Sequence, residues 1–416
     1  MRPRIAFLSP INPATSGVAD YSELIVLSLT NYCDVDVYSD DGLIPANKAI
    51  VERCLVRGYS EFEENRAKQQ YAATVIQLGN SAQHIECYDH LQKYGGIAVL
   101  HDLNLSGIIG AKTLARGDLP GFFKEMLRAE GVTATIRVLA RFAVTRQLPG
   151  RNDWWMNHLA LRRGSAIVVH NEHAATTVRR ELRSLGTDTP VWKVDLPVMP
   201  LVSDHDKYRD KTYGARARAN LGLDRFDFVI GSFGVLDESK RLSVALTAFS
   251  HFLQKVPNAL YVLVGHDAEG FREKVQVMGL TDHVRLTGRV DGPTFCDYMS
   301  ACDFCINLRY PVHGESSAPL LQEMSMGKVV AVTDYAQFRE FPNDVCCKIG
   351  LGPHEVDVLT TTLCEMAASS ERRLAMGVRA RQYVDQFHSL DQAARKYTQV
   401  ITSVMEAPPR VSALGR

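Results

Sequence analysis

The chain has 416 residues, 46% hydrophobic and 23% charged, an ordinary globular composition and long enough for two domains with separate cores. Its 47 basic side chains balance its 47 acidic ones, so nothing in the overall charge points to nucleic acid as a partner. No apolar run approaches the roughly 20 residues needed to cross a bilayer.

Residues 4–8 (Arg-Ile-Ala-Phe-Leu) read as a buried parallel strand. No long apolar signal region or small-residue cleavage site precedes it, so the expected location is cytoplasmic. The nine cysteines are odd in number and sit mostly on apolar segments, as buried thiols in a reducing compartment would. Cys302-x-x-Cys305 has no second pair or histidine nearby and reads as core.

After the first strand comes a polar loop stiffened by Pro10 and Pro13, with Gly17 at the entrance of an amphipathic helix running to about residue 30. A missing Cβ at Gly17 either lets backbone approach a ligand or only permits the turn. Neither GxGxxG nor GxxxxGK[ST] is present, which argues against a dinucleotide fingerprint and a P-loop. Strand-like runs recur at 33–38, 51–56, 73–78, 96–100 and 165–170 with helical segments between them, the pattern of a doubly wound α/β domain. In such a sheet, ligands bind beyond the carboxyl ends of the strands.

Two of those ends carry polar clusters, His101-Asp102 and His170-Asn171-Glu172-His173. His101 suits proton work or contact with a sugar-like hydroxyl; the alternative is a sheet-edge histidine followed by an Asp102 N-cap. The His170/His173 pair lacks a third ligand nearby and reads as a helix start. From 112 to 163 the texture changes: ten Lys or Arg stand against four acids, with Phe122, Phe123, Phe142, Trp154 and Trp155 interleaved. This basic helical insertion either meets an anionic membrane or a phosphorylated lipid acceptor, or packs its apolar face on its own domain.

Residues 196–226 read as an interdomain connection, with Pro197, Pro200 and a charged stretch from 204 to 211. Asp204-His205-Asp206 lies in it and Asp34-Val35-Asp36 lies within a strand pattern, so neither makes a catalytic metal site. A second alternating series follows, with strands at 228–233, 260–264, 284–287, 304–308, 329–333 and 345–349 and helices at about 354–368, 371–386 and 389–405. Two α/β halves of this kind imply a cleft between them.

The first strand of this half leads to Lys240 and Arg241 at the start of an apolar helix, 242–252. Two cations there oppose the helix dipole at roughly 0.3–1 kcal/mol each; a bound anion reverses the sign. The strand at 304–308 opens into Arg309, then His313-Gly314-Glu315-Ser316-Ser317 and a short helix ending at Gly327. That arrangement offers free backbone N–H groups and a positive helix end where a phosphate binds. Glu315 and Glu323 bracket it, and each carboxylate can accept from two neighbouring hydroxyls.

Here the residues resemble a family. Glu315 and Glu323 match the E-x7-E signature of retaining glycosyltransferase family 4. Met324, Gly327 and the strand at 329–332 look like its "EAMA.G.PVIA" segment. Ser16-Gly17 resembles its glycine loop, Lys240 its phosphate lysine, and Thr287-Gly288-Arg289-Val290 with Cys302-Asp303 its "GxV…L…AD" run. The ordered set covers nearly the whole chain.

The resemblance implies the GT-B architecture: two Rossmann-like doubly wound α/β domains facing a central cleft. On it, 1–195 is the acceptor-binding domain with the insertion at about 112–163, 196–226 the linker, and 227–385 the nucleotide-sugar-binding domain. The helix and tail at 386–416 cross back to the first domain. The expected reaction moves a sugar, with retention and without metal or cofactor, from a UDP- or GDP-sugar to a glycan or lipid-linked saccharide. The alternatives are an epimerase or hydrolase on the same fold and a non-catalytic nucleotide-sugar-binding partner protein.

Carried over residue by residue, Glu323 would hold the ribose hydroxyls, Glu315 the donor sugar, Lys240 the diphosphate and His101 the transferred sugar. Gly17 would lie beside the diphosphate, and backbone from Ser316 through Ser317 and Ala318 to Pro319 would approach sugar or phosphate. Val290 would offer backbone to the base. Asp20 and Asp102 fall on the acceptor side. The family's arginine five places before the phosphate lysine is Val235 here, leaving Arg241 or Arg309 to supply the fork; Arg309, ending a strand, is the better placed. Its "EGFG" reads Glu315-Ser316-Ser317-Ala318.

Overall fold

Among the described residues, thirteen strands form two parallel sheets, and nearly every central strand is buried along its whole length. Such continuous apolar runs belong to sheets covered on both faces by helices. The computed structural model describes residues 2–14, 16–148, 150, 153–200 and 205–407; Arg151, Asp204 and residues 408–416 of the tail lie outside them.

The first sheet contains β1 (Arg4–Leu8), β2 (Asp34–Ser39), β3 (Leu55–Gly58), β4 (Ala73–Leu78), β5 (Gly96–Leu100), β6 (Gly164–Val169) and β7 (Val191–Lys193), in the order β3-β2-β1-β4-β5-β6-β7. The second contains β8 (Phe228–Phe233), β9 (Ala259–Val264), β10 (Val284–Gly288), β11 (Phe304–Asn307), β12 (Val329–Thr333) and β13 (Cys347–Ile349), in the order β10-β9-β8-β11-β12-β13. Each order reverses once, beside β1 in the first sheet and beside β8 in the second. Those switch points are where an open parallel sheet leaves a crevice at its strand ends.

Contacts divide the chain into two units. The first comprises Met1–Leu196, His313–Ser316 and Leu390–Arg416; the second comprises Pro197–Val312 and Ser317–Ser389. Within the first unit the terminal helix Leu390–Glu406 packs on the helix Gly17–Leu29, and the hydroxyls of Tyr21 and Tyr397 meet at 2.8 Å. Both tyrosines are fully buried, so each hydroxyl needs the other to replace lost water.

Three local readings change. The alternation at 51–56 is not one strand: Asn47 caps a helix, Lys48–Arg53, by accepting from Ala49 N at 3.1 Å, and β3 begins only at Leu55. Side-chain capping offers the backbone a competing partner that apolar alternation does not reveal. The stretch read as aperiodic before 226 holds a helix, Lys211–Asn220, packed on Gly292–Ala301 in the same unit. Tyr213 donates to Asp297 Oδ1 at 2.6 Å and Arg218 to Asp303 Oδ2 at 2.6 Å there. Third, the short edge strand β7 has no counterpart in the sequence reading.

The basic segment folds as Leu119–Thr145, interrupted at Gly131 where φ is 84°. Phe122, Met126, Ala129, Ala134 and Val138 join the core of the first unit, with Phe123, Trp154 and Trp155 packed partly against it. Its aromatic side chains therefore serve their own domain. Asp36, of the strand acidic pair, accepts from Arg4 at 3.0 Å and from the Tyr71 hydroxyl at 2.7 Å.

Candidate active site

In the second unit, the loops after β8, β9, β10 and β11 converge at the carboxyl edge of the sheet. Isolated bridges join Leu236 to Asp267 and Gly265 to Gly288. Gly265 has to be glycine: its φ is +150°, and a Cβ there would stand 1.9 Å from Gly234 O. At Gly234, with φ +96°, a Cβ would meet the Lys240 ammonium at 2.7 Å. The backbone is thus drawn tightly over the lysine head.

Lys240 ends a one-turn 3-10 segment, Glu238–Lys240, and its Nζ donates to Phe233 O. Burial, then the neighbouring Arg309 charge, push its pKa down to about 7, against the pull of Asp237 and Glu323. Glu323 lies on the helix Ala318–Ser325 and is 0% exposed. Burial pushes its carboxyl up to about 8, with Asn307 and then Lys240 opposing. Its Oε2 accepts from Asn307 Nδ2 at 3.2 Å, whereas Oε1 has no hydrogen-bond partner among the described residues. Leaving a buried carboxyl oxygen unpaired costs about 1–3 kcal/mol.

Asn307 in turn accepts from Ser317 Oγ at 3.1 Å, and the same serine oxygen caps the helix by accepting from Leu320 N at 3.4 Å. Helix start and carboxylate are therefore fixed by one chain of side chains. Asn307 is a site residue that the sequence reading missed. A polar residue ending an otherwise apolar buried strand was the available signal.

Arg309 sits where β11 ends, its N–H donating to Thr333 Oγ1 at 2.8 Å, and its charge reaches Lys240. Arg241 goes elsewhere. It takes a left-handed φ of 56°, and its guanidinium grips both carboxylate oxygens of Glu355, which is 2% exposed. Val290 is half-buried between β10 and the helix Gly292–Ala301. Cys302 and Cys305 are buried free thiols; Cys302 donates to Tyr298 O at 3.1 Å. No group of three His, Cys, Asp or Glu with metal-binding geometry occurs among the described residues.

In the first unit, Gly17 is the first residue of its helix, capped by Ser16 Oγ accepting from Val18 N at 3.2 Å. Its φ is not left-handed and a Cβ would meet nothing within 4 Å. Neither backbone strain nor described packing calls for glycine there. Asp20 accepts from Asn12 Nδ2 at 3.0 Å.

His101 follows β5 and places Nε2 at 2.8 Å from Gln77 Oε1. An amide oxygen only accepts, so Nε2 carries the proton. The ring lies 4.7 Å from those of Tyr21 and His170, and burial with His170 and His84 nearby holds its pKa well below the usual histidine range. His170 similarly donates from Nδ1 to Val194 O at 2.9 Å. Asp102 Oδ1 accepts from Asn104 N at 2.7 Å and so closes a turn; it does not cap the next helix, Ser106–Lys112, whose N-cap is Leu105.

The segment 313–316 also belongs to this unit. His313 O accepts from Leu103 N at 2.8 Å, and Asn171 Nδ2 donates to Gly314 O at 2.8 Å and reaches Ser316 Oγ at 3.1 Å. Glu315 Oε2 accepts from His313 N at 2.7 Å. The two glutamates of the E-x7-E spacing therefore divide, Glu315 with the first unit and Glu323 with the second, as do Ser316 and the run Ser317, Ala318, Pro319.

Residues 227–368 match the model of the family described as glycosyl transferases group 1. Among curated proteins, none matches the sequence. Of solved structures, sucrose-phosphate synthase from Thermosynechococcus elongatus is similar over 98% of this chain and 100% of that one, with 15% identity and a TM-score of 0.67. HepE from Anabaena in complex with UDP-glucose is similar over 96% and 100%, with 14% identity and a TM-score of 0.62. WaaG, a glycosyltransferase involved in lipopolysaccharide biosynthesis, is similar over 96% and 99%, with 13% identity and a TM-score of 0.63. The fold is the GT-B architecture of these structures, and the stretch that matches the group 1 glycosyl transferase model lies mostly in the second unit.

Proposed function

We propose that the chain is a retaining glycosyltransferase that moves a sugar from a UDP- or GDP-sugar to a glycan or lipid-linked saccharide, without metal or cofactor. The observation that carries this is the charge coupling of buried Lys240 to buried Glu323, whose Oε1 lacks a hydrogen-bond partner among the described residues, on the helix Ala318–Ser325. A cation held under tight backbone and a carboxylate lacking a donor fit the two ends of a ribose diphosphate. The UDP-glucose complex of the similar HepE supports the same donor class.

As the glycosidic bond to the diphosphate breaks, charge grows on the phosphate oxygens. Lys240, Arg309 and the helix end would stabilise that state more than the bound donor, and each such contact is worth about 10²–10³ in rate. Glu323 would accept from the ribose hydroxyls and Glu315 from hydroxyls of the transferred sugar, with His101 and Gly17 beside donor sugar and diphosphate. Backbone at Val290 would meet the base. On this reading the leaving phosphate takes the acceptor proton, and no protein nucleophile is needed. Asp20 and Asp102 are assigned to the acceptor side.

Thermal shift with UDP- and GDP-sugars tests the donor, because ligand at 100 times its dissociation constant adds about 2.7 kcal/mol. Product analysis then separates the alternatives. Sugar release or isomerisation from donor alone marks a hydrolase or epimerase, and binding without turnover on any acceptor marks a partner protein. Full activity in a Lys240→Ala protein would sink the assignment.

A further inference from the structure

The helix Leu119–Thr145 has two apolar faces after its break at Gly131, and the core accounts for only one. Ala134, Thr135 and Val138 are buried. At 100° per residue, Val132, Ile136, Leu139, Ala140, Ala143 and Val144 fall on the opposite arc with Thr133 as its one polar member, and all seven are exposed. Val132 is 63% exposed, Ile136 59% and Val144 85%. An outward apolar stripe of this length is unusual on a soluble surface.

Its border is cationic. Arg137 and Arg141 follow one edge and Arg146 stands at the helix end. Arg141 pairs with Asp153 at 3.5 Å, while Arg137 and Arg146 meet no carboxylate among the described residues. The sequence from 131 to 152 contains four arginines and no acid. An apolar stripe edged with arginine is the form of a helix that lies in the plane of a bilayer. A second copy would bring the same cations face to face across a two-fold axis, and a nucleic acid would have no use for the apolar arc.

We propose that the outward face of residues 132–146 docks on an anionic membrane surface, with Val132, Ile136 and Val144 entering the headgroup boundary and Arg137 and Arg146 meeting lipid phosphates. This goes beyond the sugar-transfer reading and stands or falls without it. Each basic side chain near an anionic surface is worth about fivefold in partitioning.

The test is flotation of the full chain with vesicles of phosphatidylglycerol and phosphatidylcholine in equal parts, against phosphatidylcholine alone. Binding should require the anionic lipid and weaken with salt. Arg137→Glu should reduce it at least fivefold, and Ile136→Glu with Val144→Glu should abolish it. Far-UV circular dichroism and the thermal transition should stay unchanged, because these positions touch no core. No flotation overturns the proposal, as does flotation indifferent to these substitutions. Self-association lost on Ile136→Glu, or nucleic-acid binding lost on Arg137→Glu, in a protein that ignores vesicles would assign the face to another partner.

Discussion

The two candidate site regions differ in how their polar groups are satisfied. In the first unit, Glu315 accepts from His313 N, His101 donates to Gln77, Asp102 caps Asn104, and Asp20 holds Asn12. Each group has an internal partner that fixes its orientation. In the second unit, Lys240 is driven toward its neutral form and Glu323 keeps one oxygen unpaired. A preorganised surface selects what binds against it, whereas a desolvated lysine and a buried carboxyl oxygen without a partner gain most from a ligand that pairs them.

The largest effect should come from removing either of these two buried charges. Lys240→Ala is expected to lower kcat by about 10²–10³, measured in steady state with saturating donor, while His101→Ala costs less. Glu323→Gln should weaken donor binding by about tenfold or more, read by calorimetry, with little change in kcat for substrate that does bind.

The pair also predicts a pH profile. An anionic diphosphate binds the protonated form of Lys240, so affinity should fall as pH rises above about 7. Ribose hydroxyls donate to the ionised form of Glu323, so affinity should fall as pH drops below about 8. Donor affinity should then peak between the two values. Lys240→Ala should remove the alkaline limb and Glu323→Gln the acidic one; a flat profile in the unmodified protein would show that neither group titrates on binding.

Gly17→Val sharpens the comparison from the other side. A Cβ there meets nothing described, so stability should change by no more than about 0.5 kcal/mol. Turnover should drop if a ligand needs the space. The smallest effect on donor binding is expected from Arg241→Ala, because its guanidinium is spent on Glu355. It should lower unfolding free energy by about 1–3 kcal/mol by leaving a buried carboxylate unpaired, and leave nucleotide affinity near its original value.

Much of the second unit's site was legible because the signal is local. Apolar strand, polar turn, capping serine and helix place Ser317 and Glu323 at a strand end, and Gly234 to Lys240 does the same after β8. What was not legible is long-range. Asn307 joins Ser317 to Glu323 only once strand and helix are side by side, and Gln77 orients His101 from a neighbouring strand. Arg241 meets a glutamate 114 positions away, and no spacing rule reaches that far.

The basic segment shows the same division. Its charge bias was plain in the sequence, but which apolar side chains faced inward was not, since Gly131 breaks the helical phase. The sequence by itself determined the alternation of strands and helices, hence two parallel sheets with ligands at their carboxyl ends, because hydrophobic period and capping are properties of neighbouring residues. Tertiary structure decided that Glu315 and Glu323 belong to different units and that Arg241 is committed to Glu355. It also decided that Lys240 and Glu323, both deeply buried, feel one another's charge. Burial and charge coupling depend on what packs around a group, and that surrounding is assembled from segments distant in the chain.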